Sequence, residues 1–372
     1  MIKKIITPHD EYHYFFGYYD LQPYDDEKSI HLTHRVPFCD RLPEAEDVAE
    51  IGYIRLSDNK FVKIADTRAW NFQQGALLQW FEKGKSVIFN DFDGEQYISR
   101  VISLSGEEIS RFNRPIACLS ADGKRAISIN FSRIYDFRKG YGYCNIADEY
   151  AESAAPEDDG IFILDTESGE SRLLFSYRDF KKAFDEEPFT NQKLVVNHVN
   201  FAPNGKKIIF LLRNFTGDAQ KWGTVLAVGD IGGNLKQLTK FEVNSHYSWK
   251  DNKTLMIYSG LPEWGIYFID TEDGKRTRLN NAICDKDDIH CNYSPDRKMF
   301  IGDGYPNEQQ YRALYCYEFE TKKAWEILSV YSMPVTVIDI RCDLHARWSA
   351  DGTRISYDTT ENRRREIVEL LI

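Results

Sequence analysis

One short phrase recurs seven times along the 372 residues, and it constrains the fold more than any other feature of the sequence. In each copy an aromatic or apolar residue leads into a polar turn with Asp, Asn or Gly, and a Lys or Arg and an apolar run follow. This order is typical of two antiparallel strands joined by a tight turn. The copies are YDDEKSIHL (24–32), WFEKGKSVIF (80–89), LSADGKRAISI (119–129), FAPNGKKIIFLL (201–212), WKDNKTLMIY (249–258), YSPDRKMFIG (293–302) and WSADGTRISY (348–357).

Several copies continue into a third strand that ends in an Asp-containing hairpin, such as GIFILDTESGES (160–171), and then into a short fourth strand. Four antiparallel strands that repeat roughly every 40–55 residues indicate a β-propeller, in which each repeat forms one blade. We therefore predict an all-β fold, a seven-bladed β-propeller of four-stranded antiparallel blades. The last copy ends in REIVELLI without room for a fourth strand, so the N-terminal strand is predicted to complete that blade and close the ring. An open pair of β-sandwiches accounts poorly for seven evenly phrased hairpins.

The chain is predicted to form a single domain over residues 1–372, because no stretch rich in Pro, Gly or Ser marks a boundary. An insertion at about 135–196 separates the third and fourth copies, and it reads as loops with a helix-like segment at 177–189.

Composition excludes several classes of partner. The net charge is −11 and no basic run is present, which argues against nucleic acid. No apolar stretch is long enough to span a membrane. The seven cysteines include no CxxC pair, which favours reduced thiols and a cytoplasmic location.

Four of the eight histidines occupy one position of the repeated phrase, three residues before its aromatic. They are His198, His246, His290 and His345, in the fourth to seventh copies. Equal register in successive blades predicts that the four rings converge, and clustered imidazoles normally bind a metal, exchange protons or do both. Asp343 lies two residues before His345 on the same strand face and is predicted to join the ligands.

Arginines and aromatic residues gather in the segments predicted to lie at the same end. Aromatic faces suit sugar rings and arginines suit carboxylates, so these residues predict a site for an acidic oligosaccharide. The candidate substrate contacts are Arg133, Tyr135, Arg138, Tyr143, Arg213, Lys221, Trp222 and Arg341.

A metal, a neutral imidazole and cationic side chains facing an anionic sugar favour one reaction, β-elimination across C4–C5 of a 4-linked uronate. A cation neutralises the sugar carboxylate and stabilises the enolate-like charge, while a histidine removes the C5 proton. Hydrolysis instead needs two carboxylic acids that flank the scissile bond, and no such pair stands out at equivalent positions.

The phrases SHYSWKDNKTLMIYSG, IHCNYSPDRKMFIGDGYP and DLHARWSADGTRISYDTT resemble the oligogalacturonate lyases, seven-bladed propellers that cleave short pectin-derived uronates. This resemblance implies that His246 is the base and that His290 and His345 hold a divalent metal, to which the repeated register adds His198 and the two-residue spacing adds Asp343. The metal implied is manganese, with zinc or calcium as alternatives. The His-x-His pair of that family is Asp343-Leu344-His345 here, and the catalytic arginine falls near Lys221, so Arg213 or Lys221 is expected to replace it.

The leading hypothesis is therefore a lyase that cleaves a uronate-containing glycan by metal-assisted β-elimination. A glycoside hydrolase acting on rhamnosyl-glucuronate glycans is one alternative. A propeller that binds partners without catalysis is the other, and it predicts that no metal is bound.

Overall fold

The computed structural model describes residues 1–184, 192–215, 223–260 and 262–372. In these residues the chain forms seven four-stranded sheets, each antiparallel, together with two α-helices. The fold is a seven-bladed β-propeller with four-stranded blades, as the repeated phrase predicts.

The strands follow the chain in blade order, and β1 (Ile2–Ile5) precedes the first blade. The first blade comprises β2 (His13–Phe15), β3 (Ile30–Val36), β4 (Ala49–Arg55) and β5 (Lys60–Thr67). The second blade comprises β6 (Gln79–Glu82), β7 (Ser86–Phe92), β8 (Tyr97–Ser103) and β9 (Glu108–Phe112). The third blade comprises β10 (Cys118–Leu119), β11 (Arg125–Ser128), β12 (Gly160–Asp165) and β13 (Ser171–Ser176), with α1 (Phe131–Phe137) between β11 and β12 and α2 (Tyr177–Ala183) after β13.

The fourth and fifth blades comprise β14 (Leu194–Phe201), β15 (Lys207–Asn214), β16 (Thr224–Asp230) and β17 (Leu235–Gln237), then β18 (Asn244–Trp249), β19 (Thr254–Ser259), β20 (Gly265–Asp270) and β21 (Arg276–Arg278). The last two comprise β22 (Asn292–Tyr293), β23 (Met299–Asp303), β24 (Tyr311–Glu318) and β25 (Lys323–Tyr331), then β26 (Arg347–Trp348), β27 (Arg354–Thr359) and β28 (Glu366–Leu371). A 3₁₀ turn, Ile338–Ile340, precedes β26.

The turn of the repeated phrase explains why the phrase recurs. In the third blade the Asp122 carboxylate accepts hydrogen bonds from the Ser120 hydroxyl at 2.6 Å and from the Lys124 amide at 3.1 Å. Gly123 completes the turn with φ +69°, a left-handed conformation that glycine adopts without steric cost. Asp351 and Gly352 repeat this arrangement in the seventh blade. The turn chemistry is therefore local, and each copy specifies its own hairpin.

The N-terminal strand completes the last blade, which confirms the prediction. β1 pairs with β28 in antiparallel register, from Ile2 opposite Leu371 to Ile5 opposite Val368, and the sheet order is β1-β28-β27-β26. The side chains of β1 are exposed, whereas those of β28 are buried apart from Leu371. β1 therefore stabilises mainly by covering the edge of a buried strand.

The chain divides into two compact units, residues 1–112 with 281–372 and residues 113–280. The first unit holds two apolar clusters, one around Phe15 and Trp70 and one around Trp348 and Tyr357. The second unit holds a cluster around Tyr247 and Trp249. The prediction that residues 1–372 form a single domain stays a prediction.

The insertion before β14 carries both helices. Ser176 caps the N-terminus of α2, because its hydroxyl accepts from the Asp179 amide while the Asp179 carboxylate accepts from the Ser176 amide. The helix ends at Ala183, and residues 185–189 of the predicted helical segment lie outside the described residues. Among the described residues, no helix combines the length and the apolar character needed to cross a membrane. All seven cysteines are described, and none of them forms a disulfide.

Candidate metal centre

The four repeated histidines lie three residues before the aromatic that ends the first strand of their blades. The backbone is irregular at this position. His198 and His345 have φ values of +46° and +43°, and the strand ladder shifts register around His198 and again between Asn244 and Tyr247. Leu77, at the same position of the second copy, also has a φ of +53°, so the unusual backbone shape belongs to this position of the repeat and not to histidine itself.

Three residues of the first unit bring their ligand atoms within 4.8 Å of one another: His290, Asp343 and His345. All three are buried, with exposed fractions of 1%, 3% and 2%. The two imidazole rings meet edge to face, with centroids 4.4 Å apart. We call these three residues the ligand cluster.

The proton on His345 is fixed by its partner. Nδ1 of His345 lies 2.8 Å from the Gly17 carbonyl oxygen, which can only accept, so Nδ1 carries the proton. Nε2 therefore has a lone pair, and this buried atom has no hydrogen-bond partner among the described residues. Burial, reinforced by His290, lowers the pKa of His345 well below its ordinary value. His345 is thus a neutral imidazole with a lone pair facing the cluster, the form in which histidine binds metals.

Asp303 orients both histidines. Its Oδ1 accepts from the His290 Nδ1 at 2.7 Å and from the His290 amide at 3.2 Å, and its Oδ2 accepts from the His345 amide at 3.1 Å. Burial opposes ionisation of this carboxyl, but His290 outweighs it through charge and hydrogen bonding, so the pKa of Asp303 is held well below its usual range. Because Nδ1 of His290 donates to Asp303, Nε2 is the nitrogen through which His290 would bind an ion. A carboxylate behind a ligating histidine is the usual arrangement at metal sites.

Two arginines hold Asp343. Arg341 approaches both of its oxygens, with Nε 3.1 Å from Oδ1 and Nη2 2.8 Å from Oδ2, and Nη1 of Arg312 lies 2.9 Å from Oδ1. Burial raises the pKa of Asp343, but Arg341 and Arg312 outweigh it, and the pKa lies well below its ordinary value. The Nε of Arg341 donates a hydrogen bond to Oδ1, whereas Oδ2 has no hydrogen-bond partner among the described residues and keeps its lone pairs for a further ligand.

The donor chemistry of the ligand cluster fits a divalent transition metal. Two imidazole nitrogens and one carboxylate oxygen suit manganese or zinc. Calcium takes six to eight oxygen ligands, roughly, and this nitrogen-containing set suits it less well. The orphaned Nε2 of His345 is the observation that a bound ion would explain.

The other two histidines belong to the second unit. The rings of His198 and His246 lie 6.2 Å apart between centroids, and Tyr141 packs edge-on against His198 at 5.6 Å. The Tyr247 hydroxyl donates to the His198 carbonyl oxygen at 2.6 Å. The prediction that His198 shares an ion with the ligand cluster stays a prediction, as does the role of His246 as the base.

Two of the predicted substrate contacts, Arg133 and Tyr143, are buried inside the protein. Arg133 is fully buried, and its three nitrogens donate to Asp148 and to the backbone carbonyl oxygens of Leu194, Tyr150, Ser153 and Ala154. Tyr143 is also buried and stacks on Phe131 at 4.6 Å. Both residues are held by contacts within the protein, so neither is part of the proposed site.

Tyr135 and Arg138 are half-buried, and the Arg138 guanidinium lies 4.6 Å above the Tyr141 ring. Arg213 is buried in β15, opposite Val195 on one side and Thr224 on the other. Lys221 and Trp222 lie outside the described residues.

Sequence reasoning missed Asp303 and Arg312. Asp303 ends the otherwise apolar strand MFIGD, and a carboxylate at the end of a buried strand is the signal that was present. Arg312 stands near the start of β24, in the segment YRALYCYE, where its neighbours read as an ordinary strand.

No protein-family profile matches this sequence, and no curated protein matches it either. Solved structures do match. An oligogalacturonate lyase in complex with manganese has a TM-score of 0.69 at 13% identity, and the match covers 100% of this chain and 93% of that one. The chain shares its fold with the oligogalacturonate lyases.

A second oligogalacturonate lyase, from Vibrio parahaemolyticus, gives a TM-score of 0.66 at 11% identity over 99% of this chain and 92% of that one. A puromycin-hydrolysing peptidase from Mycobacterium tuberculosis gives 0.56 at 14% identity, over 92% of this chain and 50% of that one. At these identities the similarity concerns the fold, and propellers of other activities share it.

Proposed function

We propose that this protein is a metal-dependent lyase that cleaves uronate-containing oligosaccharides by β-elimination. The observation that carries the proposal is the ligand cluster, with its buried and unpartnered His345 Nε2, on the fold of a lyase solved with manganese. A cytoplasmic location is part of the proposal.

His290, Asp343 and His345 would hold the ion, and their own partners prepare them for it. The Asp303 carboxylate and the Gly17 carbonyl each accept from one Nδ1–H, so Nε2 is the nitrogen that each histidine presents to an ion. When bound, a divalent cation supplies positive charge that neutralises a substrate carboxylate and stabilises the negative charge developing at the adjacent carbon.

Proton removal is assigned to His246, on the family resemblance. Its side chain is mostly buried, and its Nδ1 lies 3.3 Å from the Ser245 hydroxyl. A neutral imidazole accepts a proton near neutral pH, which suits the abstraction of the weakly acidic C5 proton of a uronate. Arg213 and Lys221 are the proposed cationic partners of the substrate, whereas the guanidinium of Arg341 is engaged by Asp343 and the Ile338 carbonyl oxygen.

The hydrolase alternative is disfavoured at this cluster. A glycoside hydrolase needs one carboxylic acid that keeps its proton to protonate the leaving group. The pKa values of Asp303 and Asp343 are both held below their ordinary range, so both carboxylates are ionised at neutral pH. Neither of these two residues is suited to serve as the general acid.

Two measurements test the proposal together. Protein purified without chelators and without nickel affinity resin is analysed for metal by mass spectrometry, and oligomers of galacturonate and glucuronate are then assayed for the ultraviolet absorbance of an unsaturated uronate. We expect about one divalent ion per chain and an unsaturated product that disappears on chelation. The His345→Gln variant is expected to lose both, whereas His9→Gln, at an exposed histidine, keeps both.

A saturated product from the same oligomers would favour the hydrolase. Metal-free protein with no product on any uronate would favour the binding scaffold and contradict the proposal.

A further inference from the structure

Arg312 is a buried arginine in which one guanidinium nitrogen has a hydrogen-bond partner and the other two do not, among the described residues. Its exposed fraction is 1%, and its Nη1 donates to the Gly304 carbonyl oxygen at 2.8 Å and contacts Asp343. Its Nε and Nη2 have no hydrogen-bond partner among the described residues. Buried charged donors are rarely left without an acceptor, so this side of the guanidinium calls for a partner.

Arg341, which contacts the same Asp343 carboxylate, shows which kind of ligand the Nε and Nη2 of an arginine bind. Arg341 uses its own Nε and Nη2 to contact the two oxygens of the Asp343 carboxylate. The same edge of Arg312 therefore forms a fork that matches a second carboxylate through two parallel hydrogen bonds. Arg347, another buried arginine of this unit, has donors engaged at all three nitrogens, with Asp358, Gly17 and Tyr18. Unlike Arg347, Arg312 thus has two guanidinium nitrogens without a hydrogen-bond partner among the described residues.

Tyr305 is a partly exposed residue that lies close to this fork. Its ring centroid lies 5.8 Å from the Cζ of Arg312 and 5.8 Å from that of Arg341, and 37% of the residue is exposed. It stands between β23 and β24, which end and begin at Asp303 and Tyr311. Because the two nitrogens of the fork are themselves buried, a side chain has to move before a ligand reaches them, and Tyr305 is a partly exposed neighbour in a position to do so.

We propose that Arg312 is the receptor for a carboxylate of the bound sugar, with Tyr305 as the side chain that covers it. This inference rests on the proposed function, because it names the group that recognises the acidic sugar at the same site. Asp343 links the fork to the ligand cluster, since one carboxylate contacts Arg312 and supplies an oxygen to the cluster. The proposal predicts that recognition depends on the charge and planar shape of a carboxylate.

The test compares ligands that differ only at that group. Isothermal titration calorimetry measures the binding of D-galacturonate, D-glucuronate and the methyl ester of each to the wild-type protein, in buffer containing manganese. We expect each acid to bind about 10- to 100-fold more tightly than its ester, because two charge-assisted hydrogen bonds are lost with the ester. Equal affinity for acid and ester would overturn the proposal without any variant.

Arg312→Lys keeps the charge but removes the fork, and it is expected to reduce the preference for the acid to about threefold or less. Arg354→Lys, at an arginine that pairs with Glu369 away from the cluster, is the matched control and keeps the wild-type preference. Tyr305→Ala is expected to speed association of the acid in stopped-flow measurements. A preference that survives intact in Arg312→Lys would overturn the proposal.

A crystal structure with galacturonate gives a readout that needs no variant to fold. The carboxylate is expected within hydrogen-bonding distance of Nε and Nη2 of Arg312, and a water molecule there with the sugar bound elsewhere would refute the assignment. Failure of the lyase proposal has a different signature. An acid preference that depends on Arg312, with no unsaturated product formed, would retain this inference and reject the elimination reaction.

Discussion

Replacing Asp303 by asparagine tests how the ligand cluster is held. The carboxylate accepts from the His290 ring and amide through one oxygen and from the His345 amide through the other. A side-chain amide of the same shape keeps one acceptor oxygen and places an NH₂ group against the remaining donor or donors. Whichever way the substituted side chain is turned, at least one buried N–H loses its acceptor.

The magnitude follows from these contacts. One buried donor left unsatisfied costs about 1–3 kcal/mol, and losing the charge on the His290 bond adds about 1 kcal/mol more. We therefore expect Asp303→Asn to lower the free energy of unfolding of the metal-free protein by about 2–4 kcal/mol. Removing the carboxylate behind a ligating histidine also typically weakens metal binding by about 10- to 100-fold.

The assay is urea unfolding of chelated protein, followed by titration of the folded protein with manganese. Asp25→Asn is the matched control, because Asp25 is a buried carboxylate in the turn before β3 that accepts hydrogen bonds from the Ser29 amide at 2.8 Å and the Ile30 amide at 3.0 Å. This control is expected to lose stability and to keep its metal affinity. Wild-type metal affinity in Asp303→Asn would refute the reasoning that Asp303 prepares the ligands.

Three further predictions concern stability and catalysis. Burial lowers the pKa of His31 to about 3 and that of His34 to about 4, so below pH 6.5 or so the unfolded chain binds two protons that the folded chain does not. These two histidines alone should then lower the free energy of unfolding by up to about 2.7 kcal/mol per pH unit near pH 5, and an unchanged value in urea titrations at pH 6 and 5 would contradict this. Deleting residues 1–5 uncovers the edge of β28 and should lower the thermal midpoint and promote aggregation, whereas Lys4→Gln, which keeps the strand, should behave as wild type. His246→Asn should slow elimination by about 100- to 10,000-fold with metal content unchanged, and near-normal turnover would remove His246 from the mechanism.

The fold was predictable because its information is local. Each hairpin carries its own turn residues, as Ser120, Asp122 and Gly123 illustrate, and seven copies together specify a propeller. The pairing of β1 with β28 was also predictable, because the last copy lacks a strand and the first residues of the chain supply one.

The site was predictable in part, and the limits have physical causes. The repeated register selected His290 and His345, and the two-residue spacing added Asp343, although Asp343 and His345 lie before β26 and not on a strand face as predicted. Their partners depend on contacts between distant residues, since Arg312 lies in a different blade from Asp343 and no pattern in the sequence joins them. Arg133 shows the converse, because an arginine in a loop rich in Tyr and Arg reads the same whether it faces a ligand or, as here, the backbone of its own insertion.

The most direct test of the account is an anomalous difference map from crystals grown with manganese. The account predicts one strong peak bonded to Nε2 of His345, Nε2 of His290 and a carboxylate oxygen of Asp343. A map without density at these three residues, from crystals that retain the fold, would contradict the central claim that they form a metal site.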